Sequence, residues 1–252
     1  MKRSAKWVAG LALLGLLSGC AAGGGLDMQK VLGVGGGVLQ ATTLTEDTVK
    51  QTASLAAAQL DGKAKVADAN NPYALRLRKL TQGLERYDGL NLNFKVYLAA
   101  EVNAFAMADG TVRVYSGLFD AMPDEQVFAV IAHEIGHVKL KHSYKQLREQ
   151  LLADSAFQAV AAMGGTIGSL TSSQLGQIGK AAVNAHFSQG DELEADTYAV
   201  RMLYALKKNP QAMKESILTL ERRFGAGGGF LSSHPSNPRR IEQIEAAIAG
   251  LK

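Results

Sequence analysis

The stretch Val130–His142, "VIAHEIGHVKLKH", decides how the rest of the chain is read. His133 and His137 stand four apart with Glu134 directly after the first, inside an otherwise apolar run. One helical turn is about 3.6 residues, so two side chains four apart point the same way. Both imidazoles can then grip one ion. Glu134 lies one step round the helix, where a general base acting on water beside that ion has to sit. With five histidines in 252 residues, chance yields the pattern His-Glu-x-x-His about 0.005 times per chain. A solvated surface helix is the bland alternative. The flanking Phe128, Ala129, Val130, Ile131, Ala132 and Ile135 argue against it, because histidines in so apolar a helix need partners.

Two histidines do not complete a catalytic site, since a catalytic zinc takes three protein ligands and keeps one position open. The remaining histidines are His142, His186 and His234. A further candidate lies in "FSQGDELEADTYAV", Phe187–Val200, where Glu192 and Asp196 are four apart beside small Ala195. Glu194 points elsewhere, toward solvent. Acids at a helix start are also common for purely electrostatic reasons, so spacing alone leaves Glu192 open.

The amino end has another character. "MKRSAKWVAGLALLGLLSGC" has a basic start, an apolar stretch from Trp7 to Leu17 and then small residues. The apolar part is shorter than the roughly 20 residues a membrane span needs, so residues 1–19 read as a secretory signal. It ends in "LSGC", which resembles a bacterial lipobox cut before Cys20, the one cysteine of the chain. Ala21 rather than aspartate follows it, which by the usual sorting rule favours the outer membrane. The expected location is thus an outer-membrane lipoprotein facing the periplasm of a Gram-negative bacterium. The mature chain has no cysteine for a disulfide and must be held by its core. The full chain carries 27 Lys and Arg against 23 Asp and Glu, and the signal contains three of the bases. A nearly neutral mature chain gives no support to nucleic-acid binding.

Residues 20–42 are glycine-rich and sparsely charged, which fits a tether from lipid to domain. The folded domain is expected over 43–252. Thr45 caps a first helix with spacing at Val49, Ala53 and Ala56. A second helix is expected from Tyr73 to Tyr87, and "NFKVYLA" (Asn93–Ala99) alternates as a strand does. "NAFAMADGTVRVYSG" (Asn103–Gly117) signals a hairpin about Asp109-Gly110. From Met122 onward the chain reads as helical, opened by Pro123-Asp124-Glu125. Further helices are expected over about Ser143–Met163, Thr166–Phe187 and Asp191–Leu206, then from Pro210 and after Pro238. "GAGGG" (Gly225–Gly229) reads as a mobile loop. Leu151–Leu170 is apolar but for Asp154, and its glycines and that acid favour a buried or lid-like helix over a membrane span.

"HEIGH", followed some fifty residues later by "FSQGDELEAD", resembles the HtpX- and Oma-type zinc metallopeptidases, peptidase family M48 of the gluzincin group. "NAFAMADGTVRVYSGLFD" before the motif and "SSHPSNPRRI" after it are in the same style, so the resemblance covers most of the mature chain. It implies a mostly α-helical α+β, zincin-like domain with a small sheet, and a zinc-dependent endopeptidase holding one Zn²⁺. It implies His133, His137 and Glu192 as ligands and Glu134 as base. Asp196 would orient His133 or His137 from behind. The family often has Arg or Lys near Gln189, so this sequence departs there by a charge pair. Two roles are open to His234: a donor to the oxyanion of the tetrahedral intermediate, or a removable fourth ligand. Arg240 could act nearby or be an ordinary surface arginine. Asn103, Ala104, Phe105 and Ala106 would form the edge along which an extended substrate lies, although Phe105 also fits a core position. The implied substrates are misfolded or misassembled envelope polypeptides. A chaperone-like assembly factor with a normally closed protease site, working with the outer-membrane assembly machinery, is the competing expectation.

Overall fold

The computed structural model describes residues 44–154 and 170–251. The signal, Cys20, the tether and most of Leu151–Leu170 lie outside the described residues. Thr45 caps α1 (Glu46–Lys63) by accepting a hydrogen bond from Thr48 N. Asn71 caps α2 (Pro72–Thr81) in the same way. This helix stops well short of Tyr87, because Gly83 takes a left-handed φ of +82° and turns the chain toward a 3-10 turn at Tyr87–Gly89.

Strands β1 (Asn93–Tyr97), β2 (Ala104–Ala106) and β3 (Thr111–Tyr115) follow. The expected hairpin is β2–β3, paired antiparallel with Phe105 opposite Arg113. Gly110 closes it at φ +91°, and a Cβ there would meet Asn91 O at 1.9 Å. The order is β1-β3-β2, with β1 parallel to β3. That parallel pairing has no local sequence signal, since it joins segments separated by the hairpin. A short helix the periodicity does not announce, α3 (Ser116–Ala121), leads into α4 (Asp124–Lys139). Then come α5 (His142–Ala153), α6 (Ser172–Val183), α7 (Gln189–Ala205), α8 (Gln211–Phe224) and α9 (Pro238–Ala249), with a 3-10 turn at Gly229–Ser232. The domain is mostly helical α+β, as the pattern implies.

Both sheet faces are covered. One carries Val96, Ala104, Ala106, Val112 and Val114 into a core shared with α4, α7 and α8. The other carries Tyr97, Phe105, Met107 and Tyr115 against Val49, Ala53 and Ala56 of α1 and Leu147 and Leu151 of α5. On this face the buried Arg113 grips Asp61 of α1 by two hydrogen bonds, at 2.8 and 2.9 Å. α4 is buried from Val127 to Val138 without interruption. Burying each of Val127, Phe128, Ile131 and Ile135 contributes about 1.5–3 kcal/mol, so this helix is a rigid axis for whatever it carries. No helix among the described residues is long and apolar enough to cross a membrane.

Candidate metal centre

The glycine of "HEIGH" explains how a second helix reaches the histidines. α7 crosses α4 so closely that a Cβ on Gly136 would lie 3.2 Å from the Ala195 backbone. Small residues on both helices permit the approach, and it brings Glu192, about a turn before Ala195, and Asp196, directly after it, over the motif. Ser188 starts α7 with a capping box: its side chain accepts from Asp191 N, and the Asp191 side chain accepts from the Ser188 N–H. The cap and the glycine together fix which face of α7 meets α4.

The residues so placed converge. His133 Nε2 lies 3.0 Å from His137 Nε2. The Glu192 carboxylate lies 3.5 Å from each of these nitrogens. The His234 side chain enters from the segment after the 3-10 turn, with Nδ1 at 2.9 Å from Glu192 Oε1 and 3.3 Å from His133 Nε2. One donor atom from each of the four falls within a 4.8 Å span, and all four residues are buried. Three ring nitrogens and a carboxylate facing one another in a dry core form an arrangement that a divalent cation satisfies. Without one, inward-pointing nitrogens would waste their lone pairs. The donor set therefore fits a metal.

The back of the site fixes the ring orientations. Asp196 Oδ1 lies 2.9 Å from His133 Nδ1, so of the two histidines the acid serves His133. Asp196 is itself held by Arg240, whose Nε and Nη2 each donate at 2.7 Å. Arg240 Nη1 reaches Glu192 Oε2 at 2.8 Å and donates to the His234 carbonyl at 2.9 Å. The guanidinium is fully buried. It is the central counterion of the site rather than a surface arginine. Sequence reasoning named it only as a possible neighbour; the Asn237 cap that starts α9 places it. At Gln189, where a charge was missing, Arg239 Nη1 lies 3.5 Å from the amide oxygen. Phe187 stacks on His137 at 3.8 Å and Phe230 on His234 at 4.3 Å, two aromatic walls that spacing arguments do not reveal.

Burial works against a charged imidazole, but Asp196 and Glu192 outweigh it and lift His133 to about 9. Burial, with like charge from His133 and His234, pushes His137 well down. Burial would raise Glu192, but His234 and the other two histidines hold it far below the carboxylate range. Asp196 is held low against its burial by Arg240. Glu134 moves the other way. Burial raises it, partly offset by His234, His133 and a hydrogen bond from the Ala106 N–H. Its Oε1 is buried without a hydrogen-bond partner among the described residues; His234 Nε2 lies 3.4 Å away. Two carboxylates that face the same His234 ring are thus driven in opposite directions, the pattern that separates a charge-holding group from a proton-transferring one.

Strand β2 lies beside this centre. Asn103 O accepts from Tyr115 N and Met107 N donates to Thr111 O. Odd positions therefore face β3, and the backbones of Ala104 and Ala106 face away from it. The Ala106 N–H turns toward Glu134 and lowers its pKa slightly, and the Ala106 carbonyl accepts from Ser143 Oγ at 3.0 Å. Phe105 is core, packed near Tyr97 and Tyr115. Asn103 is buried, and its side chain accepts from Ala104 N at 2.9 Å.

A buried His-Glu-x-x-His helix, joined by a glutamate and an aspartate one turn apart on the helix packed against it, defines a metallopeptidase. Residues 77–248 match the sequence profile of Peptidase family M48. The chain is 39% identical to the metalloprotease LoiP of Escherichia coli (strain K12) over 231 residues, 91% of this chain and 90% of that one. It is 35% identical to the metalloprotease YcaL of the same strain over 94% of both chains. Against the β-barrel assembly-enhancing protease of Yersinia pestis it is 34% identical, over 56% of this chain and 31% of the other. The chain belongs to Peptidase family M48 and is a metalloprotease.

Proposed function

We propose that the chain is a zinc endopeptidase, tethered by lipid at Cys20 to the periplasmic side of the outer membrane, that cleaves misfolded or misassembled envelope proteins. The observation that carries the catalytic part is the buried cluster of His133, His137, Glu192 and His234 with Glu134 beside it. The histidines and Glu192 would hold the ion, and an N/O donor set of this kind suits Zn²⁺. Zinc, when bound, supplies Lewis acidity toward a peptide carbonyl and toward water. Glu134 does the proton work: it takes the proton of the attacking water and gives it to the leaving amine. Its raised pKa brings it nearer the range in which a carboxylate can do both. With the Ala106 carbonyl engaged by Ser143 Oγ, a substrate strand laid along β2 would bond chiefly through Ala104.

The substrate class and location rest on the lipobox-like "LSGC" and on the family's style. Acyl chains contribute about 0.8 kcal/mol per buried methylene to membrane binding. Cys20→Ser should therefore leave the protein soluble or unprocessed. A variant still pelleting with membranes after salt and carbonate washing would point to another membrane attachment.

His234 sits within the ligand set, with its ring nitrogen facing Glu192 and His133, so the geometry favours the removable-ligand role over the oxyanion role. In the resting enzyme it fills the place that water and substrate need. His234→Ala should then raise peptide turnover by about tenfold or more. A fall of about 10²- to 10³-fold in kcat with KM unchanged would assign it to the oxyanion instead.

The same closed centre favours a second reading, a chaperone-like assembly factor whose protease is usually silent; one relative's name carries assembly enhancement. Metal content and casein hydrolysis of wild type and Glu134→Gln, set beside complementation of a deletion strain, test both. Loss of both hydrolysis and complementation supports the protease. Complementation by an inactive Glu134→Gln favours the assembly factor.

A further inference from the structure

His142 lies outside the ligand set yet is buried against it. Helix α4 ends at Lys139, and Lys141 takes a left-handed φ of +63° before α5 begins at His142. That turn folds the His142 ring back onto the preceding helix. Its Nδ1 lies 3.1 Å from His137 Nδ1. Its Nε2 faces outward, 3.4 Å from Glu194 Oε2 and 3.5 Å from Asp191 Oδ1.

We propose that His142 is the positioning residue for His137: it accepts the Nδ1 proton of that ring and so keeps Nε2 of His137 turned to the metal. The inference rests on the metal reading above. If His137 binds through Nε2, its neutral ring carries the proton on Nδ1. The nitrogen facing that proton must then be bare. The His142 proton is forced onto Nε2, where the Glu194 carboxylate accepts it and Asp191 lies beside it. The result is a chain from Glu194 and Asp191 through one imidazole to another, in place of the carboxylate that usually backs a ligating histidine.

The two ligands are thereby supported differently. His133 leans on Asp196, sealed with Arg240 inside the core. His137 is reached through an imidazole whose outer partner, Glu194, is 66% exposed. Phe187, stacked at 21° to His137, restrains the tilt of the ring but not which nitrogen faces inward. Among the described residues, the contact that holds its Nδ1 side is the one from His142.

The test is competition for Zn²⁺ against a chelator of known affinity, with the visible spectrum of the Co²⁺-loaded protein as a second readout. His142→Leu should weaken Zn²⁺ binding by about 10- to 100-fold, the usual cost of losing a partner behind a metal ligand, and should alter the Co²⁺ absorption. His142→Asn should restore affinity to within a few-fold, because its amide oxygen can stand where Nδ1 stood. His142→Gln, whose amide reaches the Nε2 position, should not. Wild-type affinity and an unchanged spectrum in His142→Leu would overturn the inference. So would equal loss in the Asn and Leu variants together with a lowered melting temperature, the signature of mere packing. If the wild type binds no Zn²⁺, the metal reading itself fails; if the wild type binds one ion and His142→Leu binds it as tightly, only the role of His142 fails.

Discussion

Glu134→Gln is expected to keep its full metal content and to lose about 10²- to 10⁴-fold in peptide hydrolysis, the range general acid–base groups contribute. The amide has the same shape and fills the same buried space. None of His133, His137 and Glu192 is touched. What is lost is the ability to take a proton from water. Stability should not fall much, since a buried, partly unpaired carboxyl is replaced by a group with no charge to desolvate. Loss of activity at constant melting temperature and metal content thus separates a catalytic effect from unfolding. The wild-type pH profile carries the same signature. Burial raises the Glu134 pKa, and the base must be unprotonated to act. The acid limb of kcat/KM should therefore lie above the pH at which an ordinary carboxylate titrates. A glutamine variant cleaving at near wild-type rate would remove Glu134 from its role.

The parts of this centre that sequence reasoning finds are the ones with a fixed local period. His133 and His137, and separately Glu192 and Asp196, are pairs four apart on helices, so each pair is visible as a spacing. The joining of the two pairs is not local. It depends on Gly136 meeting Ala195, a contact across some sixty residues with no periodicity of its own. The same holds for β1, which pairs parallel with β3 past the intervening hairpin. The cap at Thr45 was legible, because a capping side chain acts within three residues. The end of α2 was not, since Leu84 continues the apolar pattern beyond Thr81 and only the positive φ of Gly83 breaks it. Arg240 and His142 were the least legible. Nothing in "NPRRI" or "KLKHS" says which polar side chain is buried. Burial depends on what the other elements place around it: Asp196 and Glu192 for the arginine, His137 for the histidine.

Arg240→Met should produce the largest loss of stability of any single change at the centre, although Arg240 meets no substrate. The guanidinium is fully buried and answers two carboxylates, Asp196 with both arms of its fork and Glu192 with the third nitrogen. Methionine fills much of the same space, so the effect is not a cavity. It leaves buried negative charge without its counterion, which costs about 3–5 kcal/mol when one member of such a pair is removed. For a domain of this size that corresponds to a fall of about 6–20 °C in the melting temperature. Arg240→Lys should recover little, because a single ammonium cannot bridge both acids and also donate to the His234 carbonyl. Metal binding should weaken too, by about 10- to 100-fold. Without the arginine, Asp196 is drawn toward its protonated form, and a protonated acid is a poorer acceptor for His133 Nδ1–H. The double variant Arg240→Met/Asp196→Leu separates the two effects. Removing the stranded carboxylate should return part of the stability, as replacing both members of a buried pair by apolar groups does. It should not return the metal affinity, since His133 still lacks the acceptor that orients it. Calorimetry and metal competition on the four proteins of this cycle check the argument. A loss under about 1 kcal/mol in Arg240→Met, or full recovery of metal binding in the double variant, would show that the arginine does not hold the centre together.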